Sequence, residues 1–485
     1  MKSWLRIHAE SNPGAVALIA GNRHLTYGQL YDKALRLAGS LSKKGIKPGM
    51  HVALAGNNSD QYVLLLHALI LLGAVVVPVN IRLTAEDIEN QISFADCEHI
   101  LIDDDMQFTI LTQNISQHKF SEITPDSSDT SGISFERLQS DTLLLMFTSG
   151  TSGSPKCVEL TYANIFYNAL GTKLRLQFTE DDSWLLSLPL YHIGGFSIVL
   201  RTCIYGIPLL IPEGLESKDI KAAIDEQDPA FISLVPTMMK RLLENNVQPK
   251  NLHKAILLGG GPIPGGLVDA CEKYGWKIAT TYGTTETGSQ IATRHPDAVA
   301  QKESAGQPLP FTSIRIIDKQ GDEVSAGTEG EIIVATPSCM KGYYKQDDLT
   351  AEVIHDGWYH TGDYGYVTED SYLYVVSRRS DIIVSGGENI NPVEVEYVLR
   401  DHSDIQDVCV IPYSDPEWGE VPVAVIVPVD EAVSLESIKQ FLTGKIASFK
   451  IPKKIFYFEE IPYTQTGKIQ RELIRKQITG ANKLF

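Results

Sequence analysis

A loop rich in glycine and hydroxyl side chains has the sequence Thr148-Ser-Gly-Thr-Ser-Gly-Ser-Pro-Lys156, and it follows an apolar run, 143–147, that predicts a buried strand. Its two glycines lack a Cβ, so backbone N–H groups can approach an anion closely, and its hydroxyls add donors. A Walker A loop is excluded, because it requires four residues between its glycines and a Lys-Ser/Thr pair directly after the second. The pattern predicts a phosphate-binding loop, although a solvated surface loop can have the same composition. Its candidate ligands are Thr148, Ser149, Gly150, Thr151, Ser152, Gly153 and Lys156.

The size and charge of the chain limit the classes of function. At 485 residues it should contain two or more domains. A formal net charge of −18 argues against general nucleic-acid binding, because no positive field would attract a polyanion. An anionic ligand must therefore be bound by local lysines and arginines.

The cysteines and the most apolar stretch indicate the cellular compartment and whether the chain spans a membrane. The six cysteines, at positions 97, 157, 203, 271, 339 and 409, form no Cys-x-x-Cys pair, so we expect reduced thiols in a cytoplasmic protein and no zinc site. Residues 1–8 contain no continuous apolar segment of a secretory signal. The apolar stretch 62–79 contains His67 and is broken by Gly73 and Pro78. It predicts a helix over 59–72 and a buried strand over 74–79, in place of a membrane span.

Predicted strands and helices alternate through the first half of the chain, which is typical of parallel sheets covered by helices. The strands are expected at 52–55, 75–77, 99–103, 143–147, 183–190, 231–235, 254–258 and 278–282, and the helices at 59–72, from Thr84 onward, at 193–205 and at 217–225. We expect the polar segment 116–134 to be a surface excursion. Three strands end in polar or glycine-rich turns: Tyr191-His192, Gly259-Gly-Gly-Pro262 and Gly283-Thr-Thr-Glu-Thr-Gly288. Ligands of open α/β sheets bind outside the carboxyl ends of strands, so these turns should converge on one site.

From about residue 311 the pattern changes to short β segments separated by Gly/Asp turns, which predicts a β-barrel-like subdomain. A compact αβ tail follows Arg378, with helices at 393–399 and 435–442 and strands at 408–411 and 423–427. We therefore expect one domain over 1–379 and a second over 380–485.

Five motifs occur in order along the chain: Thr148 to Lys156, Tyr282-Gly-Thr-Thr-Glu286, Tyr359-His-Thr-Gly-Asp363, Arg378 to Pro392 and Thr466-Gly-Lys468. Together they resemble the motif set of the acyl-adenylate-forming superfamily, which includes acyl-CoA synthetases, peptide-synthetase adenylation domains and firefly luciferase. The resemblance covers the chain from near residue 10 to near residue 475. It implies an α/β fold with a large N-terminal region of αβ subdomains, a β-barrel-like subdomain and a small mobile α+β C-terminal domain. It also implies that a carboxylate reacts with Mg-ATP to give an acyl-adenylate, from which a thiol then displaces AMP.

The resemblance implies a role for each matching residue. The loop 148–156 would bind the β- and γ-phosphates, and the adenine side would be formed by Gly259, Gly260, Gly261, Pro262 and Tyr282. Gly283 and Thr284 would also bind ATP. Thr285 matches the residue that bonds the α-phosphate, and Glu286 matches the carboxylate associated with Mg²⁺. Asp363 and Arg378 match the ribose-binding pair. Lys468 matches the lysine that enters the site for adenylation, the step in which positioned positive charge is needed.

The thiol acceptor is indicated by Ser385-Gly-Gly-Glu-Asn-Ile-Asn-Pro392. This segment resembles the coenzyme A ligase branch, in which Gly386, Gly387 and Glu388 would line the pantetheine tunnel. The hinge would lie at Ser380-Asp381, with serine where aspartate or lysine is common. These matches imply ATP, Mg²⁺ and coenzyme A as the molecules bound.

The acid site is indicated by His192 and Arg201. His192 matches the histidine beside the reacting carboxylate, and Arg201 lies nine residues later in an apolar run. A buried cation must be paired or face a cavity, whereas an arginine at a helix end can extend its charge into water. Arg201 at this offset resembles the o-succinylbenzoyl-CoA synthetase subfamily of menaquinone biosynthesis, in which a basic residue is thought to bind a second carboxylate.

Three further positions depart from the superfamily pattern: Cys157 and Ser377 replace the usual glycines, and His360 replaces arginine or lysine. The cysteine could perturb phosphate contacts. Alternatives are another aryl- or acyl-CoA synthetase, a stand-alone adenylation enzyme that loads a carrier protein, and a non-catalytic nucleotide-binding protein. Retention of the charged motif residues Lys156, Glu286, Asp363 and Lys468 argues against the last. The sequence leaves open whether the chain forms a homo-oligomer.

Overall fold

The computed structural model describes residues 3–106, 115–125, 133, 137–148, 156–251, 253–261, 263, 266–378, 383–385, 388–415, 418–446, 448–464 and 469–481. The helices are α1 Trp4–Ser11, α2 Tyr27–Lys43, α3 Asp60–Leu72, α4 Ala85–Phe94, α5 Tyr162–Leu176, α6 Ile193–Tyr205, α7 Ser217–Gln227, α8 Pro236–Glu244, α9 Leu267–Lys273, α10 Asp347–Val353, α11 Pro392–Leu399, α12 Leu435–Leu442 and α13 Arg471–Ala481.

The strands are β1 Val16–Ala20, β2 Arg23–Thr26, β3 His51–Ala55, β4 Val75–Pro78, β5 His99–Ile102, β6 Ser116–Lys119, β7 Thr142–Thr148, β8 Lys156–Thr161, β9 Trp184–Leu185, β10 Leu209–Ile211, β11 Phe231–Leu234, β12 Ala255–Leu258, β13 Ile278–Tyr282, β14 Ala292–Thr293, β15 Gln307–Pro308, β16 Ser313–Ile317, β17 Gly330–Ala335, β18 Gly342–Tyr343, β19 Ile354–His355, β20 Trp358–Val367, β21 Leu373–Arg378, β22 Ile383–Ser385, β23 Glu388–Ile390, β24 Ile405–Asp415, β25 Gly419–Pro428 and β26 Lys454–Tyr457.

Two large sheets form the first part of the fold. One has the strand order β15-β14-β13-β12-β11-β9-β10-β1-β2, and the other has the order β18-β8-β7-β4-β3-β5-β6. The inner strands of both are parallel, and antiparallel pairs occur towards their edges. The predicted parallel α/β architecture is confirmed.

Helices and sheets stack in alternating layers. The largest core lies between the two sheets and includes side chains of α1, α2, α3, α5 and α6. Helices α7, α8 and α9 cover the outer face of one sheet, and α4 covers the outer face of the other. Val52 and Leu54 enter the central core, whereas Ala53 enters the core under α4. Burial on both faces explains why the parallel strands are almost continuously apolar.

Two predicted segments were wrong. Residues 116–119 are not a surface excursion, because β6 pairs in parallel with β5 at the edge of the seven-stranded sheet. An edge strand can be polar, since part of it faces water. The predicted strand 183–190 is only two residues long, Trp184–Leu185. The backbone N–H of Ser187 donates to the carbonyl oxygen of Leu185 at 3.0 Å, so a tight turn takes the chain out of the ladder directly after the strand.

The apolar stretch 62–79 forms a helix and a strand, as predicted. The Ser59 hydroxyl accepts a hydrogen bond from the backbone N–H of Tyr62 at the start of α3. Gly73, with φ of 83°, ends the helix in a left-handed conformation that glycine adopts without strain. No helix in the ranges that the structure describes is both long and apolar enough to cross a membrane.

The remaining sheets are smaller. Strands β16, β17, β20, β19 and β21 form a five-stranded antiparallel sheet that shares a core with Ala292 of β14 and with the preceding residue, Ile291. Strands β23, β22, β25 and β24 form the C-terminal sheet, to which β26 adds in parallel. Helices α11 and α12 pack on one face of it, and α13 packs on the other. The predicted fold class is confirmed, whereas the residue at which one domain ends and the next begins stays a prediction.

Candidate active site

A short turn after β13 carries the two residues predicted to act on the α-phosphate and the metal. Tyr282 ends the strand, and Thr285–Thr287 form one turn of 3₁₀ helix. A Cβ on Gly283 would lie 2.2 Å from the Ser289 carbonyl oxygen, so only glycine fits here. The backbone oxygen of Glu286 accepts a hydrogen bond from Met340 N at 2.7 Å, which fixes the turn against the chain before β18.

Tyr343 connects this turn to the end of the predicted phosphate loop. Its hydroxyl donates to Glu286 Oε1 at 2.8 Å, and Lys156 Nζ lies 5.2 Å from the centroid of its ring. Strand β18, which carries Tyr343, pairs with β8, which begins at Lys156. Burial, and secondarily the negative charge of Glu286, raises the pKa of Tyr343, so its hydroxyl stays protonated and donates.

Sequence reasoning missed Tyr343. The chain carries Gly342-Tyr-Tyr-Lys345 after a β segment, but nothing in that run indicates which sheet it joins. The only available signal is its position between two of the matching motifs.

The predicted phosphate loop joins the ends of two antiparallel strands. Thr148 on β7 pairs with Lys156 on β8. Cys157, next to Lys156, belongs to the buried core under α4, whereas the Tyr343 ring near Lys156 belongs to the central core. Alternation along the strand therefore directs the cysteine to the sheet face opposite the lysine. Burial raises the pKa of the Cys157 thiol to about 12, so it is a neutral packing residue here.

The predicted ribose site brings together three strands. The Tyr282 hydroxyl donates to Asp363 Oδ2 at 2.6 Å, which joins β13 to β20. Asp363 is buried, and its backbone N–H donates to the Thr361 hydroxyl at 3.0 Å. Arg378 pairs with Asp363 across β20 and β21. His360 lies on the alternate face of β20, with its Nδ1 atom 3.5 Å from Glu331 Oε2, so this departure does not alter the surroundings of Asp363.

The glycines after β12 have a packing role of their own. A Cβ on Gly259 would lie 2.6 Å from Thr281 Cγ2 on the neighbouring strand, and Gly260 has φ of 80°. Close strand packing and the left-handed backbone therefore explain these two glycines without reference to a base. Their predicted place on the adenine side stays a prediction, as does that of Gly261.

The predicted acid site is at the start of α6. His192 is the residue before the helix, and its ring centroid lies 4.8 Å from that of Tyr191. A Cβ on Gly195 would lie 2.2 Å from the Pro189 carbonyl oxygen, so glycine is required where the first turn of the helix meets the preceding chain.

Arg201 lies deep in the central layer. Only 1% of its surface is exposed, and it is therefore not an arginine that extends into water from a helix end. Its Nη2 atom donates to Asn168 Oδ1 at 2.6 Å and to Ser289 Oγ at 3.3 Å. Burial lowers its pKa to about 10. Within the described ranges, no carboxylate lies within 4.0 Å of this guanidinium, as an ion pair would require.

Several predicted site residues lie outside the described residues, and their roles stay predictions. They are Ser149, Gly150, Thr151, Ser152 and Gly153 of the loop, Ser380 and Asp381 of the hinge, Gly386 and Gly387 on the coenzyme A side, and Lys468. The structure places Glu388 opposite Ser385 across β22 and β23.

Comparison with known proteins decides the family. A sequence model of the AMP-binding enzyme family matches residues 5–344, and one of the AMP-binding enzyme C-terminal domain matches residues 394–468. This chain belongs to the AMP-binding enzyme family. The predicted superfamily membership is confirmed, and the two matched ranges lie on either side of the predicted domain boundary.

Relatives of this AMP-binding enzyme share its full length. The 2-succinylbenzoate–CoA ligase of Bacillus cereus (strain Q1) is 36% identical over 482 residues, which are 99% of each chain. The o-succinylbenzoate CoA synthetase (MenE) of Bacillus subtilis in complex with the acyl-adenylate intermediate OSB-AMP has a TM-score of 0.92 at 32% identity, covering 98% of both chains. The same synthetase with ATP and magnesium ion has a TM-score of 0.91 at 32% identity, covering 98% of this chain and 99% of the other. The predicted resemblance to this subfamily is confirmed.

Proposed function

We propose that this chain is an ATP-dependent ligase that joins o-succinylbenzoate to coenzyme A, a reaction of menaquinone biosynthesis. The observation that carries the proposal is Arg201, a buried guanidinium without a carboxylate partner among the described residues, on the helix that begins beside His192. An acid with a second carboxylate would supply the missing anion. Full-length similarity to 2-succinylbenzoate–CoA ligases supports the same substrate.

The first step forms the acyl-adenylate. A carboxylate oxygen of the acid bonds to the α-phosphorus of ATP, the bond from that phosphorus to the bridging oxygen breaks, and pyrophosphate leaves. We propose that His192 lies beside the reacting carboxylate and that Thr285 bonds to the α-phosphate. Lys468 would stabilise the negative charge that develops during the transfer. The loop 148–156 and Lys156 bind the β- and γ-phosphates, and Asp363 and Arg378 bind the ribose.

Glu286 fits a magnesium ion. Tyr343 holds Oε1 by a hydrogen bond, and a carboxylate oxygen is a ligand that Mg²⁺ prefers. Across the described ranges, no group of three or more His, Cys, Asp or Glu side chains forms a metal cage, so phosphate oxygens and waters would complete the coordination. When bound, the ion neutralises charge on the phosphates.

The second step forms the thioester. The sulfur of coenzyme A bonds to the acyl carbon, the bond from that carbon to the AMP oxygen breaks, and the thiol proton goes to solvent. We propose that Gly386, Gly387 and Glu388 line the pantetheine side of the site, and that the C-terminal domain rotates about the hinge Ser380-Asp381 before this step.

We also propose that the enzyme works in the cytoplasm. Its six cysteines are free thiols in the structure, and thiols stay reduced in that compartment.

Thioester formation tests the proposal. The enzyme is supplied with ATP, Mg²⁺ and coenzyme A, together with o-succinylbenzoate, benzoate or a medium-chain fatty acid, and the thioester and AMP are measured. We expect o-succinylbenzoate to be preferred, and preference for either of the other acids would contradict the assignment. Release of AMP that requires coenzyme A, with no carrier protein present, excludes a carrier-loading enzyme. Absence of acid-dependent pyrophosphate release with every acid would favour a non-catalytic nucleotide-binding protein.

A further inference from the structure

The guanidinium of Arg201 is oriented mainly by one neutral side chain. Its hydrogen bond to Asn168 Oδ1 is 2.6 Å long, and its contact with Ser289 Oγ is longer, at 3.3 Å. The Cζ atom of Arg201 lies 5.7 Å from the ring centroid of Trp184. The Nε–H of Arg201 is buried and has no hydrogen-bond partner among the residues that the structure describes. Asn168 therefore makes the shortest polar contact of this cation that the structure records.

Asn168 is also bonded to the turn of the nucleotide site. It lies in α5, is 2% exposed, and its Nδ2 atom donates to the carbonyl oxygens of Thr287 at 3.0 Å and Gln290 at 2.9 Å. Thr287 ends the 3₁₀ turn that contains Glu286. One buried amide thus uses its acceptor on Arg201 and its two donors on the segment that follows Glu286.

We propose that Asn168 is a positioning residue that aims Arg201 at the second carboxylate of the acid and couples the acid site to the nucleotide-binding turn. The inference rests on the proposed function. Of the side chains of this size, only asparagine offers one acceptor and two donors, and the site uses all three. Aspartate would lose both donors and would place a carboxylate against Arg201, where it would compete with the substrate.

The test compares acids with and without a second carboxylate. Rates of AMP release are measured for o-succinylbenzoate and for two analogues that each lack one of its carboxylates, 4-oxo-4-phenylbutanoate and 2-butanoylbenzoate. Asn168→Ala should lower kcat/KM for o-succinylbenzoate by about 10- to 100-fold, as expected for loss of an aligned, charge-assisted interaction. For whichever of the two analogues the enzyme converts, the decrease should be about tenfold smaller than for o-succinylbenzoate, because only the support of the turn is lost.

Asn164 provides a matched control. It is buried one turn earlier on α5, and its Nδ2 atom donates to the carbonyl oxygens of Pro337 at 2.9 Å and Cys339 at 2.6 Å. Asn164→Ala therefore loses the same number of bonds to backbone carbonyls without contacting Arg201. The ratio of kcat/KM between o-succinylbenzoate and the analogue should stay at the wild-type value in this variant.

Two further measurements separate positioning from a structural role. In the double variant that combines Asn168→Ala with Arg201→Met, the ratio of kcat/KM between o-succinylbenzoate and the analogue should equal that of Arg201→Met alone. The reason is that Asn168 acts on the second carboxylate through this arginine. The KM for ATP should rise about 2- to 10-fold in Asn168→Ala but stay unchanged in Arg201→Met, since only Asn168 is bonded to Thr287. Should Asn168→Ala fail to fold, Asn168→Asp keeps the side-chain shape and should also lose the preference for the dicarboxylate.

An unchanged ratio in a folded Asn168 variant, or effects of the two substitutions that multiply in the double variant, would overturn the inference. These results differ from failure of the proposed function. In that case the wild-type enzyme itself would not convert o-succinylbenzoate, whereas an active wild type with an unchanged ratio in the variant contradicts only the role of Asn168.

Discussion

Replacing Arg201 with methionine should separate binding of the acid from stability of the fold. Burial lowers the pKa of Arg201 from 12.5 to about 10, which corresponds to a cost of about 3 kcal/mol for keeping the charge in the folded chain at neutral pH. Methionine removes this cost but leaves the oxygens of Asn168 and Ser289 without their donor, at roughly 1–3 kcal/mol each. Because these terms oppose each other, the free energy of unfolding should change by no more than about 3 kcal/mol.

The effect on the acid should be larger and specific. A hydrogen bond between charged groups contributes about 1.5–3 kcal/mol, so the KM for o-succinylbenzoate should rise roughly 10- to 150-fold in Arg201→Met, with the KM for ATP unchanged. The measurements are initial rates of AMP release and unfolding in urea. A variant that unfolds easily but retains the wild-type KM would show that Arg201 is structural and does not bind the acid.

Three other residues give predictions for the nucleotide loop and the core. Tyr343→Phe removes the hydrogen-bond donor to Glu286 and should lower kcat/KM for Mg-ATP about 10-fold or more. Tyr344→Phe is the control, because it also loses a hydrogen bond to a carboxylate, that of Asp96, and it should leave kcat/KM for Mg-ATP unchanged. Equal effects of the two substitutions would contradict the role of Tyr343. Cys157→Ala should destabilise the fold by about 1 kcal/mol and leave the KM for ATP unchanged, because its thiol faces the core, and a raised KM would show that it affects the loop. Burial lowers the pKa of His67 to about 4, so as the pH falls the unfolded chain binds a proton at this side chain before the folded chain does. The free energy of unfolding, measured in urea, should therefore drop by about 2 kcal/mol between pH 7 and pH 5. His67→Leu should remove that part of the decrease, and an unchanged pH dependence would show that other groups cause it.

The sequence predicts local structure well where a signal lies within a few residues. Helix α6 begins after His192 and ends at Tyr205, as expected from its apolar run and the glycine that follows. Strand β13 ends at Tyr282. Gly283 follows it, at a position where a Cβ would collide with the carbonyl oxygen of Ser289. Local periodicity and turn chemistry are enough for such elements.

Contacts between distant segments could not be predicted in this way. The role of Tyr343 depends on the pairing of β18 with β8, and the role of Asn168 depends on the packing of α5 against α6. Which edge a strand joins is decided by the whole sheet and leaves no trace in local periodicity. The same reason explains why the polar strand β6 was missed, and why Cys157 was expected to disturb the loop when its side chain lies on the other face of the sheet.

Competition among three acids measures directly whether this enzyme prefers o-succinylbenzoate. The enzyme receives ATP, Mg²⁺ and coenzyme A with equal concentrations of o-succinylbenzoate, benzoate and octanoate. The three thioesters are distinguished by mass spectrometry, and the amounts of AMP and pyrophosphate are measured in the same mixture. The o-succinylbenzoate thioester should be the main product, one AMP and one pyrophosphate should form per thioester, and Arg201→Met should reduce this preference. Benzoyl- or octanoyl-CoA as the main product of the wild-type enzyme would contradict the proposed function.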